Sequence, residues 1–163
     1  MGTKKYNKHS TQVKPDENKF HQGNDQNKKH YWLTPPEVYT PLDQEFNFDF
    51  DPCPLFADFD GLEIEWGKSN FINPPYSRKL KDAFVKKAIE EARKGKLCVM
   101  LLPVSTSTIL FHDYIQPNAE EIRFVRKRLI FKGINTFGEE VDHNVQGARP
   151  MHDSMVVILK KGE

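Results

Sequence analysis

The chain has 163 residues, 37% of them hydrophobic and 12% aromatic, which fits one domain with a modest core. A formal net charge of +1 excludes a polycation that binds nucleic acid over its whole surface, so any such contact must come from local basic patches. No apolar run approaches a membrane span, the N-terminus lacks the apolar region of a signal peptide, and the two cysteines, Cys53 and Cys98, show no metal-ligand spacing, all of which points to a reduced, cytoplasmic protein.

Residues 1–30 are rich in Lys, Asn, Gln and His, and carry seven lysines against Asp16, Glu17 and Asp25, a net +4. Such a segment buries too little apolar surface to offset its ordering entropy, so a flexible basic arm is expected there, with the folded domain over residues 31–163. Thr34-Pro35-Pro36-Glu37 reads as a helix start, with Thr34 as the cap, and Val38, Leu42 and Phe46 then recur every four residues. Phe48-Asp49-Phe50-Asp51 alternates and predicts a strand ending at Pro52. Leu62 to Trp66 is a weaker strand, and Asn70 to Asn73 a short one stopped by two prolines.

The clearest helix runs from about Arg78 to Lys94, with Ser77 as cap, Gly95 as stop, and Leu80, Phe84, Ala88 and Ala92 on one face. Leu97 to Leu102 is continuously apolar and fits a strand buried on both faces. Ser105 or Thr106 can cap a second helix reaching about Ile115. Ile122 to Phe131 and Met155 to Leu159 predict two further strands, joined by a long polar loop. Alternating strands and helices argue for an α/β sheet with helices on its faces, in which ligands bind at the carboxyl ends of strands. Asp51-Pro52 and Asn73-Pro74-Pro75-Tyr76 fall at such ends.

The tetrapeptide suits methyl transfer to an exocyclic amine. That nitrogen is a poor nucleophile because its lone pair is delocalised into the ring, and two acceptors on its hydrogens favour a pyramidal nitrogen. The Asn73 side-chain oxygen can be one acceptor and the Pro74 carbonyl the other, since proline keeps its acceptor while losing its donor. Pro74 and Pro75 stiffen the turn, and Tyr76 offers a face on which a flipped base can stack, worth ~1–3 kcal/mol. An adenine amine is unreachable inside a duplex, so the base must be extruded.

Asn-Pro-Pro-Tyr is the acceptor signature of amino-methyltransferases. In order, Trp32-Leu33-Thr34-Pro35, Phe48 to Cys53, Trp66, Phe71 to Ser77, Leu101-Leu102-Pro103, Arg128 to Phe131 and Ser154 to Val157 resemble the phage and prophage family of Dam-type DNA N6-adenine methyltransferases, over roughly Tyr31 to Leu159. The resemblance implies a compact Rossmann-like fold with helices on both faces of the sheet, S-adenosylmethionine as cofactor, and double-stranded DNA as substrate. It implies Thr34, Pro35, Asp49, Asp51 and Pro52 as cofactor contacts, although the glycine pair that usually follows Asp-Pro is missing. Asp58 is a rival for the acidic contact. Arg123, Arg126 and Arg128, on the strand expected over 122–131, and Lys132, at the head of the polar loop, are the candidate phosphate contacts. No metal site is expected, because His143 and His152 lack further ligands at zinc spacing.

Three rivals share these residues. Pro52-Cys53 could belong to a cytosine-C5 methyltransferase, the acceptor motif also serves protein-glutamine methyltransferases, and the missing glycines could mark a non-catalytic DNA-binding or anti-restriction protein on a decayed scaffold.

Overall fold

The computed structural model describes residues 30–54, 57–75, 77–135, 140–141 and 152–163. The basic arm over 1–29, Tyr76, and most of the polar loop with His143 lie outside the described residues.

β1 (His30–Leu33) leads into α1 (Pro36–Phe46), whose apolar stripe buries Val38 and Leu42. Thr34 does not cap this helix. The Pro35 carbonyl accepts the Val38 and Tyr39 amides at 3.0 Å each, and Thr34 turns inward, 1% exposed. Two consecutive prolines have already removed amides that a cap would satisfy. Asp43 ends α1: its carbonyl accepts the amide of Asn47, which sits at φ 51, and its side chain accepts the Phe48 amide at 3.0 Å.

The expected strand over 48–51 shrinks to one parallel bridge, Phe50 with Asn70. Asn47 and Pro52 leave few residues between them, and the Asp49 side chain turns back to the Ser69 amide. Leu62 to Trp66 forms no strand. Asp60 accepts the amides of Leu62 and Glu63 to make a turn, and Trp66 is buried with its indole N–H on the Gly61 carbonyl at 2.6 Å.

β2 (Ser69–Ile72), α2 (Arg78–Arg93) and β3 (Leu97–Pro103) form a parallel unit, with Ile72 opposite Met100. Gly95 makes the exit from α2 at φ 92, where a side chain would be strained. The helix expected from Ser105 or Thr106 begins later. Thr108 accepts the Phe111 amide and donates to the Ser105 carbonyl, and a π-helical segment, Leu110–Ile115, runs into α3 (Gln116–Asn118).

β4 (Ala119–Phe124) and β7 (Ser154–Leu159) complete a four-stranded sheet of order β2-β3-β7-β4, with β7 antiparallel to both neighbours. The strand expected to reach Phe131 ends at Phe124, because Lys127 takes φ 64 and breaks the extended path. Part of the polar loop is itself sheet: β5 (Lys132–Asn135) pairs antiparallel with β1 and with β6 (Glu140–Val141).

Both faces of the sheet are covered, as expected of a Rossmann-like α/β fold. Cys98, Met100 and Leu102 on β3, with Met155, Val157 and Leu159 on β7, face Phe84, Ala88 and Ala92 of α2 and the π-helical segment. The alternate residues Val99, Leu101, Val156 and Ile158 face Val38 and Leu42 of α1 and Leu129.

Glu91, seven residues after Phe84, falls on the buried face of α2 and is fully inaccessible. Burial opposes its ionisation, but hydrogen bonds from Lys96, Lys87 and Lys94 outweigh that and pull its carboxyl from 4.5 down to about 2. Lys87 lies at 3.0 Å and Lys94 at 3.3 Å. A carboxyl whose pKa is lower folded than unfolded contributes stability above the unfolded value and loses it as pH falls. Thermal melts should therefore show wild-type stability draining away from about pH 4.5 toward pH 2. Glu91→Gln should be less stable at pH 7 and flatter across that window.

Candidate active site

β2 delivers Asn73, Pro74 and Pro75 to its carboxyl end, where all three are buried. Asn73 is 1% exposed. Its side-chain N–H donates to Thr34 Oγ1 at 2.8 Å, and Cys53 Sγ donates to its backbone carbonyl at 3.3 Å. Its side-chain oxygen is buried and has no hydrogen-bond partner among the described residues. A buried acceptor left unmatched costs about 1–3 kcal/mol; Asn70 Oδ1 within β2 is unmatched too, and Asn73 Oδ1 is the one at the strand's carboxyl end. Ser77 Oγ, four residues on, is the same: it makes no cap bond to α2 and has no partner among the described residues.

The two contacts to Asn73 bring together segments far apart in the chain. Thr34 and Pro35 approach from the start of α1, Thr34 by the bond to Asn73 and Pro35 buried beside it. Asp51 and Pro52 approach through Cys53, whose amide donates to Asp51 Oδ1 at 2.9 Å. Thr34, Asp51 and Pro52 are thus gathered around Asn73. Asp49 is not. It hydrogen-bonds Ser69 at the amino end of β2, four residues and roughly 13 Å along the strand from Asn73. Asp58 is exposed.

Gly61 packs against the Asp51–Pro54 turn so closely that a Cβ there would stand 2.0 Å from the Pro52 carbonyl oxygen. The same residue's carbonyl holds Trp66. The turn is therefore packed against a residue nine positions downstream of Pro52, which no local motif could reveal.

Burial pushes the Cys53 thiol well above its ordinary range, and the nearby Asp51 charge adds to the effect. The thiol stays protonated at neutral pH, and its hydrogen is directed at the Asn73 carbonyl. A buried thiol bonded to a backbone carbonyl gives no support to the nucleophile role that a cytosine-C5 mechanism requires.

The expected phosphate contacts separate. Arg123 forms a two-pronged pair with Glu45 at 2.7 Å and a further bond to Glu121 at 2.8 Å, and it holds both carboxyls below their usual range. Its guanidinium also covers the Phe46 ring at 5.6 Å, so it ties β4 to the end of α1. Arg128 pairs with Asp153 at 3.1 Å. Arg126 is exposed, and Lys132 enters the structure through the backbone pairing of β5 with Leu33. With β4 ending at Phe124, Arg126 and Arg128 lie on an irregular segment rather than on one strand face. Among the described residues no group of three His, Cys, Asp or Glu could hold a metal ion, and no helix is long and apolar enough to cross a membrane.

The profile of a family described as DNA N-6-adenine-methyltransferase (Dam) matches residues 22–161. A protein of Haemophilus phage HP1 named DNA N-6-adenine-methyltransferase is 35% identical over 130 residues, covering 71% of this chain and 73% of the relative. One of Escherichia phage T1 with the same name is 37% identical over 111 residues, 60% of this chain. That match spans only 45% of the T1 protein's length.

A methyl group at position 61 has nowhere to go. Gly61→Ala is expected to lower stability by about 1–3 kcal/mol, the usual cost of overpacking, read as a drop in urea midpoint at unchanged slope.

Proposed function

The chain belongs to the DNA N-6-adenine-methyltransferase (Dam) family, and from that membership we propose that it transfers a methyl group from S-adenosylmethionine to the N6 amine of adenine in double-stranded DNA. One observation carries the reading: the buried side-chain oxygen of Asn73, unmatched at the carboxyl end of β2 and held between the Thr34 and Asp51 segments.

In this reading the extruded adenine sits over the Asn73–Tyr76 turn. Asn73 Oδ1 accepts one amine hydrogen and the Pro74 carbonyl accepts the other. Thr34 accepts from one N–H of the Asn73 amide, which fixes the amide's orientation and leaves its oxygen open to a donor. Pro74 and Pro75 fix the turn, which keeps the acceptors placed before the base arrives. Tyr76 stacks on the base.

The residues present fit the cofactor. Asp51 places a carboxylate at the end of the Phe50 bridge for a ribose hydroxyl or an ammonium group. Pro52 and Pro35 present a buried apolar wall, and the Cys53 bond ties this turn to the acceptor. When bound, S-adenosylmethionine supplies an electrophilic methyl on a sulfonium sulfur. Asn73 and Pro74 orient the amine so that its lone pair faces that carbon, and the surplus proton leaves the nitrogen for solvent. No side chain need become covalently attached, in keeping with a protonated Cys53. Arg126 and Lys132 are the phosphate contacts that this reading retains from the sequence.

Three variants test it, using tritiated methyl transfer from S-adenosylmethionine to unmethylated duplex DNA with product nucleosides identified by mass spectrometry. The wild type should yield N6-methyladenine. Asn73→Ala should lose at least about 10²–10³-fold in kcat, the scale for removing one preorganised polar contact. Thr34→Val should lose kcat while retaining affinity for S-adenosylmethionine, whereas Cys53→Ala should keep most activity. Label in cytosine, or activity that depends on Cys53 and not on Asn73, would reverse the assignment.

A further inference from the structure

Three large apolar side chains stand exposed among the described residues: Ile109 at 68%, Phe124 at 66% and Ile130 at 53%. Scattered singly, such residues need no explanation. Here all three lie on segments leaving one edge of the sheet. β2, β3 and β4 end at that edge and β7 begins there, since Pro103 is opposite Ser154 and Phe124 is opposite Met155. It is the edge that carries Asn73.

Ile109 follows β3, the neighbour of β2, whereas Phe124 ends β4 at the far side of the sheet. The parallel register of β2 and β3 runs to Ile72 opposite Met100, so the acceptor turn leaves β2 at the same end of the sheet at which Leu102 and Pro103 close β3. Leu102 and Pro103 line a cleft of about 470 Å³, and Ile109 stands on its wall. The first half of α2 lines the same cleft with Arg78, Lys81 and Lys86, the last over the Tyr114 ring at 4.7 Å, against a single lining carboxylate, Asp82.

Ile109 also has a rigid base. On one side, Thr108 donates to the Ser105 carbonyl and accepts the Phe111 amide. On the other, Leu110 and Phe111 are buried in the core. An isoleucine held out into water on a stiff turn, beside three cations and at the same end of the sheet as the acceptor turn, has the form of a wedge. Apolar side chains inserted between base steps offset the cost of unstacking and hold a duplex open.

We propose that this cleft is where the duplex is held open, the cations of α2 taking the phosphates beside the target and Ile109 entering the stack as the adenine leaves. The proposal rests on the DNA-adenine reading above. Ile109 is a positioning residue: it acts on the duplex and not on the reacting nitrogen.

Two measurements on the full chain test it. The adenine methylated by the wild type is mapped and placed in a short duplex, once fully paired and once opposite an abasic site, where extrusion is easier. Ile109→Ala should lose about tenfold or more in kcat/KM on the paired duplex and return to within about threefold of wild type opposite the abasic site. It should also give a smaller rise in fluorescence when 2-aminopurine replaces the target base. Equal losses on both duplexes, or no loss on the paired one, overturn the wedge. In the second measurement, Lys81→Ala/Lys86→Ala should weaken duplex binding by fluorescence anisotropy and reduce the slope of log affinity against log salt by about 2. An unchanged slope overturns the cleft as a phosphate site. If the wild type transfers no methyl to any DNA, the functional reading falls on its own, and the salt dependence still decides the cleft.

Discussion

β3 and β7 are apolar on both faces, and that constraint organises the rest of the molecule. Val99 and Leu101 must be covered from one side, Met100 and Leu102 from the other, so helices have to pack on both. A strand buried on two faces leaves only its ends for polar work. The carboxyl ends of β2 and β3 are consequently where the chain changes from packing to chemistry. Pro74 and Pro75 mark that change at the end of β2, because a proline cannot continue the pairing yet leaves no unpaired amide.

At the end of β2 the site is held by few but well-placed contacts. Asn73 is fixed through its side-chain N–H by Thr34 and through its carbonyl by Cys53. Each contact also delivers a neighbour: the first brings the Thr34-Pro35 segment, the second the Asp51-Pro52 turn. The geometry of acceptor and cofactor segments is therefore coupled. Gly61 packs on the same turn, and its carbonyl accepts the Trp66 indole N–H.

Charge is used in two ways. Glu91, Glu45, Glu121 and Asp153 each take up cations that would otherwise add to the positive surface, and Arg123 in particular serves as a strut between β4 and α1. The basic residues that face an open cleft are different ones, on α2 directly after the acceptor motif. A net charge near zero thus coexists with a local positive surface at the edge where the chemistry is proposed.

What the sequence determined by itself was whatever depends on neighbours a few residues apart. The α2 helix follows from Phe84, Ala88 and Ala92 at helical spacing, the two central strands follow from uninterrupted apolar runs, and the acceptor turn follows from Asn73 and two prolines after a short strand. Local periodicity and proline chemistry are enough for these. The tertiary structure alone decided which distant groups meet. Thr34 looked like a cap because a cap is its commonest local use, and only the approach of β2 turned its hydroxyl toward a residue 39 positions away. Arg123 and Arg128 looked free because Glu45 and Asp153 are distant in sequence. β1 found its partner a hundred residues later, in what read as a polar loop. A hydrogen bond or an ion pair stabilises wherever the fold brings donor and acceptor together, and no spacing rule within one segment records that meeting.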